Sequence, residues 1–65
     1  MDWQQRLYNE LKELTEKISK LEVFICKSSF ANLPDIEREA LYSQLDVMKA
    51  YQRILIRRNY RASEE

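Results

Sequence analysis

The sequence has no glycine and no histidine, and only one proline and one cysteine among its 65 residues. Each shortage removes options. The lone Cys26 cannot close an intrachain disulfide, and a single thiol suits a reducing compartment. With no histidine and no second thiol, there is no ligand set for a structural zinc. No apolar run approaches the length of a membrane span, and the opening "MDWQQRLYNE" lacks the charged-then-apolar layout of a secretory leader. These features lead to the expectation of a soluble, cytoplasmic protein. The 11 basic and 11 acidic residues cancel formally, which argues against a DNA or RNA polymer as partner. A chain this short buries little apolar surface by itself. With disulfide and metal removed, self-association or a partner is the remaining remedy.

What is present is helical. Trp3, Leu7, Leu11, Leu14, Ile18, Leu21 and Ile25 recur at steps of four and three, a heptad seam along one helix. Glu, Lys, Leu and Gln dominate this stretch, as helix propensity prefers. Glu13–Lys17 and Glu16–Lys20 have the favourable four-residue order. Ser28 and Ser29 interrupt the pattern. Pro34 fits the first turn of a second helix, followed by Asp35, Glu37 and Glu39 near its positive end. The second seam is Leu41, Leu45, Met48, Gln52 and Leu55. The expected architecture is all-α: a single domain over residues 1–65, forming an antiparallel hairpin of two helices. Helix one covers about 3–27, a connector 28–33, helix two about 34–60, and a frayed tail 61–65. Phe30 and Leu33 are expected to fold back and plug the end of the hairpin.

Ala40, Val47, Tyr51, Ile54 and Arg58 form a second stripe, displaced around the helix from the main seam. A hairpin needs one apolar stripe per helix, so the second asks for another surface. Homo-oligomerisation meets that demand, and docking on a larger foreign partner is the alternative.

Candidate binding residues cluster by type. Lys49, Arg53, Arg57, Arg58 and Arg61 follow one another with no acid between them. Arg58 lies in line with the second stripe. It reads either as an ion-pair partner at a contact or as one of several arginines converging on an axis, where guanidinium forks grip phosphates. Lys17 flanks the first seam and reads as a surface lysine paired with Glu13 or as a phosphate contact at a subunit boundary. Ser19 is ordinary helix surface or a hydroxyl donor. Trp3 and Tyr8 are aromatics able to stack on a base, though Trp3 equally extends the Leu7–Leu11 stripe. No nucleophile–base motif and no Gly-rich phosphate loop is present, so the chain is not expected to be an enzyme.

The string R-L-x-x-E-x-x-x-L-x-x-K-I-x-x-L-x-x-F-I runs from Arg6 to Ile25 and is followed by "SSFANLP". L-x-x-Q-L-x-x-M-x-x-Y-x-x-I-L-x-x-R then runs from Leu41 to Arg58. Together these resemble the small phage proteins that share the anti-CBASS and anti-Thoeris helical-hairpin domain, over nearly the whole chain. The resemblance implies a homo-hexameric sponge in the cytoplasm of an infected bacterium. Such a sponge sequesters cyclic di- or trinucleotide signals of bacterial immunity without cleaving them, and needs no cofactor. By the family pattern the helix-one lysine falls on Lys17, its neighbouring hydroxyl on Ser19 and the late helix-two arginine on Arg58. The stacking aromatic falls on Trp3 by distance, or on Tyr8 by residue type. The competing reading is a non-enzymatic helical module that docks on a larger protein.

Overall fold

A computed structural model of the chain describes residues 2–64, all of whose regular structure is helical. Helix α1 spans Trp3–Ile25, α2 spans Ser28–Ala31 and α3 spans Asp35–Ser63. At the start of α1, the Asp2 carboxylate accepts a hydrogen bond from the Gln5 amide at 2.8 Å and satisfies one of the helix's free donors. α1 and α3 pack along one another, and their contacts run in opposite order along the two chains. Asn59 meets Leu7, Gln52 meets Thr15 and Lys49 meets Glu22. The molecule is a rod, with extents of 48 × 16 × 15 Å.

Four details differ from the sequence expectation, each for a local reason. The connector is itself a helical turn, α2, so there are three helices and not two. With no glycine in the chain, and no positive φ among the described residues, a left-handed cap is not used to reverse direction. The reversal is made instead by two extended residues, Lys27 (ψ 153°) and Pro34 (ψ 150°), on either side of α2. For the same reason α1 stops at Ile25, short of residue 27. At the other end, α3 continues through Ser63, past Tyr60 and into the segment read as a tail. Nothing between Tyr60 and Ser63 breaks a helix, Arg61 sits favourably in the last turn, and the Ser63 hydroxyl donates to the Tyr60 carbonyl at 2.8 Å. Pro34 occupies the cap and not the first turn; its carbonyl accepts from the Glu37 and Arg38 amides.

The core is thin. Among the described residues, Leu7, Ile18, Phe30 and Leu55 are buried, and of these only Leu55 is fully enclosed, at 0% exposure. Phe30 closes the connector end, edge-to-face against Phe24 (centroids 5.9 Å apart) and Tyr42 (5.4 Å). Leu33 is half-buried beside it. Gln52, a polar residue within the α3 seam, is explained by its partner: its amide donates to the Thr15 hydroxyl at 3.1 Å. The expected Glu13–Lys17 and Glu16–Lys20 pairs do not form. Ion pairs among the described residues are Lys49–Glu22, between helices, and Arg38–Asp35, at the start of α3. Exposed Glu–Lys pairs in mid-helix gain little Coulomb energy against the entropy of holding two long side chains still, whereas Asp35 is short and Arg38 is also held by the Ala31 carbonyl.

Candidate functional site

The N-terminal turns of α1 and the C-terminal turns of α3 lie side by side at the end of the rod opposite the connector. Their register is set by Asn59, whose side-chain amide donates to the Leu55 carbonyl at 2.8 Å and to the Leu7 carbonyl at 3.4 Å. Leu55 packs beneath, fully buried. On this base sits an open groove of about 290 Å³, lined by Trp3, Arg6, Leu7, Glu10 and Arg58. Helical spacing explains its α1 wall, because residues 3, 6, 7 and 10 occupy one face at steps of three and four. Arg58 crosses from α3 to complete it.

Tyr51 lies one heptad before Arg58, and its hydroxyl donates to Glu10 Oε1. That bond to a carboxylate, then burial, then the Glu10 charge push the phenol above its ordinary value of 10.0, while Arg58 pulls the other way. Tyr51 is therefore a neutral donor at physiological pH, and it holds Glu10 on the α3 side of the groove. Arg6 and Arg58 form no ion pair among the described residues. The groove thus combines two available guanidinium forks with an indole that is 46% exposed. Chemically, it offers a flat apolar face next to paired cationic donors, a set suited to a planar group that carries phosphate.

The five residues singled out from the sequence divide into two groups. Trp3 and Arg58, from opposite ends of the chain, share the groove. Lys17 is exposed on the same flank of α1 as Arg6, about 21 Å along the helix from Trp3 at 1.5 Å per residue. Tyr8 and Ser19 lie on the opposite flank of α1, eleven positions apart and hence nearly in line. Ser19 borders a separate concavity with Lys20, Val23 and Lys27. Within one copy of the chain, Tyr8 and Ser19 do not meet Trp3 or Arg58. Sequence reasoning gave no binding role to Arg6 or Glu10, and placed Tyr51 only in the second stripe. Their signal was present in the spacings 3–6–10 and 51–58, but reading it required the register between helices.

The fold defines a small all-helical protein with an open groove at one end. The chain belongs to the Sequestin family, whose model matches residues 1–60. The family name denotes sequestration, a binding role. No curated protein and no solved structure matches the chain. Among the described residues, no helix is long and apolar enough to cross a membrane.

Proposed function

We propose that this protein binds and sequesters a cyclic oligonucleotide signal without cleaving it, and thereby starves a bacterial immune effector during phage infection. It acts in the host cytoplasm as a homo-oligomer, with six copies the number that the hairpin-sponge resemblance implies. The observation that carries this reading is the convergence of Trp3, Arg6 and Arg58 on one open groove. An indole face stacks on a base, while the two guanidinium groups grip phosphate. Sequestration requires affinity and stoichiometry alone, so the groove's donors are sufficient without a nucleophile.

Lys17 and Ser19 fit a second contact region. They lie on different flanks of α1, so one ligand reaches both only at a boundary between copies. Tyr8, in line with Ser19, is the aromatic available there, and Trp3 serves the groove.

A thermal-shift panel of cyclic dinucleotides, cyclic trinucleotides and cyclic ADP-ribose isomers tests this directly. A ligand bound only by the folded chain raises the melting temperature by mass action. Trp3→Ala and Arg58→Ala are expected to lose the shift for the groove's ligand, and Lys17→Ala the shift for any ligand at the boundary. Chromatography of ligand released from heat-denatured protein is expected to return it unaltered. A folded protein that shifts with no member of the panel refutes the proposal. That result would favour the docking module, for which the exposed Ile36, Val47 and Ile54 speak.

A further inference from the structure

The outer face of α3 carries a second complete heptad seam. Ile36, Ala40, Ser43, Val47, Ala50 and Ile54 follow one another at steps of four and three. Ile36, Val47 and Ile54 are 77%, 69% and 45% exposed, so this seam has no partner within the chain. Its remaining members are small, which lets a facing helix approach closely.

The charges of α3 are sorted along its length. Asp35, Glu37, Glu39 and Asp46 occupy the first half, where Arg38 is paired with Asp35; Lys49 sits mid-helix, paired with Glu22 of α1, and Arg53, Arg57, Arg58 and Arg61 occupy the second half. Asp46 and Arg53 lie on the same flank of the seam, yet seven residues apart, roughly 10 Å, too far to pair with each other. Neither forms an ion pair with another described residue. Arg53 lines an open groove of about 330 Å³ with Ile56 and Arg57 along that flank.

We propose that the occupant of this seam is the α3 of a second copy, docked antiparallel about a twofold axis near Met48 and Lys49, with Asp46 of each copy facing Arg53 of the other. This deepens the oligomeric part of the proposed function and rests on it. In antiparallel register Val47 of one copy layers on Ala50 of the other, and Ile54 on Ser43. The acidic half of each helix then lies against the basic half of its mate. On the other flank Arg58 meets Glu37 of the second copy. That contact holds its guanidinium at the mouth of the Trp3–Arg6 groove, with donors left for a ligand. A parallel pair would stack Arg57 on Arg57 and Arg61 on Arg61 inside the seam, like against like. Charge thus selects both the partner and its direction.

The test is a charge-swap cycle read by sedimentation equilibrium, with circular dichroism to verify folding. Both residues are exposed, so Asp46→Arg and Arg53→Asp leave the core intact. The unmodified chain is expected to associate. Each single variant is expected to weaken association at least roughly tenfold by setting like charges face to face. The double variant D46R/R53D is expected to recover most of the loss. A folded wild-type chain that stays monomeric at tens of micromolar overturns the proposal, as do single variants that associate normally or a double variant weaker than either single one. Thermal shifts of the same variants with the ligand panel keep the two ideas separate: a monomeric chain that still binds ligand removes this interface and leaves sequestration standing.

Discussion

Leu55→Ala is the perturbation that weighs most directly on the intrachain fold. Leu55 is the one fully enclosed side chain, at 0% exposure, in a core of four buried residues. It lies under the groove, and its carbonyl accepts from Asn59. Truncating a buried leucine to alanine costs about 2–5 kcal/mol, through lost transfer energy plus the cavity left behind. At roughly 0.05–0.15 kcal/mol per residue, a chain of 65 residues holds about 3–10 kcal/mol in all. Leu55 is enclosed on all sides, so its whole apolar side chain is lost from the core on truncation, which favours the upper part of that range. The expected outcome is loss of a third or more of the total stability, enough to leave a partly unfolded population at room temperature.

The control is its neighbour. Ile54 is 45% exposed on the second seam, so Ile54→Ala removes little intrachain burial. Its expected effect on the unfolding of isolated chains is within about 0.5 kcal/mol. Denaturant titrations followed by helical circular dichroism, repeated over a hundredfold range of protein concentration, separate the two. Leu55→Ala lowers the midpoint at every concentration. Ile54→Ala lowers it only where copies associate. If Leu55→Ala costs less than about 1 kcal/mol, or Ile54→Ala costs as much at low concentration, the assignment of core and outer seams is wrong.

Two further predictions concern the base of the groove. Asn59→Ala removes the amide that donates to Leu55 and Leu7 across the two helices, at an expected cost of about 1 kcal/mol in the same titrations. A neutral result would show that Asn59 does not set the register. The Tyr51–Glu10 bond makes an alkaline prediction. The folded chain holds the Tyr51 proton above the ordinary value of 10.0, so the bond's contribution is complete below pH 10 and is lost as pH rises through the raised value. The stability advantage of the unmodified chain over Tyr51→Phe is therefore expected to be flat below pH 10 and to shrink above it. An advantage that grows with alkalinity would contradict the assigned bond.

Much of the core was legible in the sequence because its signal is local and periodic. Leu7 and Ile18 fall on the seam read from α1, Leu55 on the seam read from α3, and Phe30 at the plug expected of the connector. The groove was not legible, because it depends on register. Trp3 and Arg58 were each noticed, but their meeting follows from where Asn59 and Gln52 find partners on α1, and periodicity says nothing of that. Arg6 and Glu10 look like ordinary helix surface until Arg58 and Tyr51 are set against them. The missing glycine is a different case. Its absence drew no expectation about the connector, whereas it bears on how the chain turns, through extended residues around α2.

The two seams of α3 have different chemistry at their edges. The inner one, from Leu41 to Leu55, meets α1 with few charges, and its Gln52 and Asn59 find neutral partners on Thr15 and Leu7. The outer one is bordered by acids along its first half and arginines along its second. A surface whose only task was solubility would interleave the two signs, as α1 does with Glu13, Glu16, Lys17 and Lys20. Arg38 pairs with Asp35, yet an excess of acid remains in the first half and of arginine in the second, and a partner presenting the reverse order offsets both. An antiparallel copy of α3 presents it with no further requirement on sequence. The arrangement also sets the end of α3 that bears Arg58 against the start of its neighbour. In the proposed pair the candidate groove would gain a further wall from the second copy.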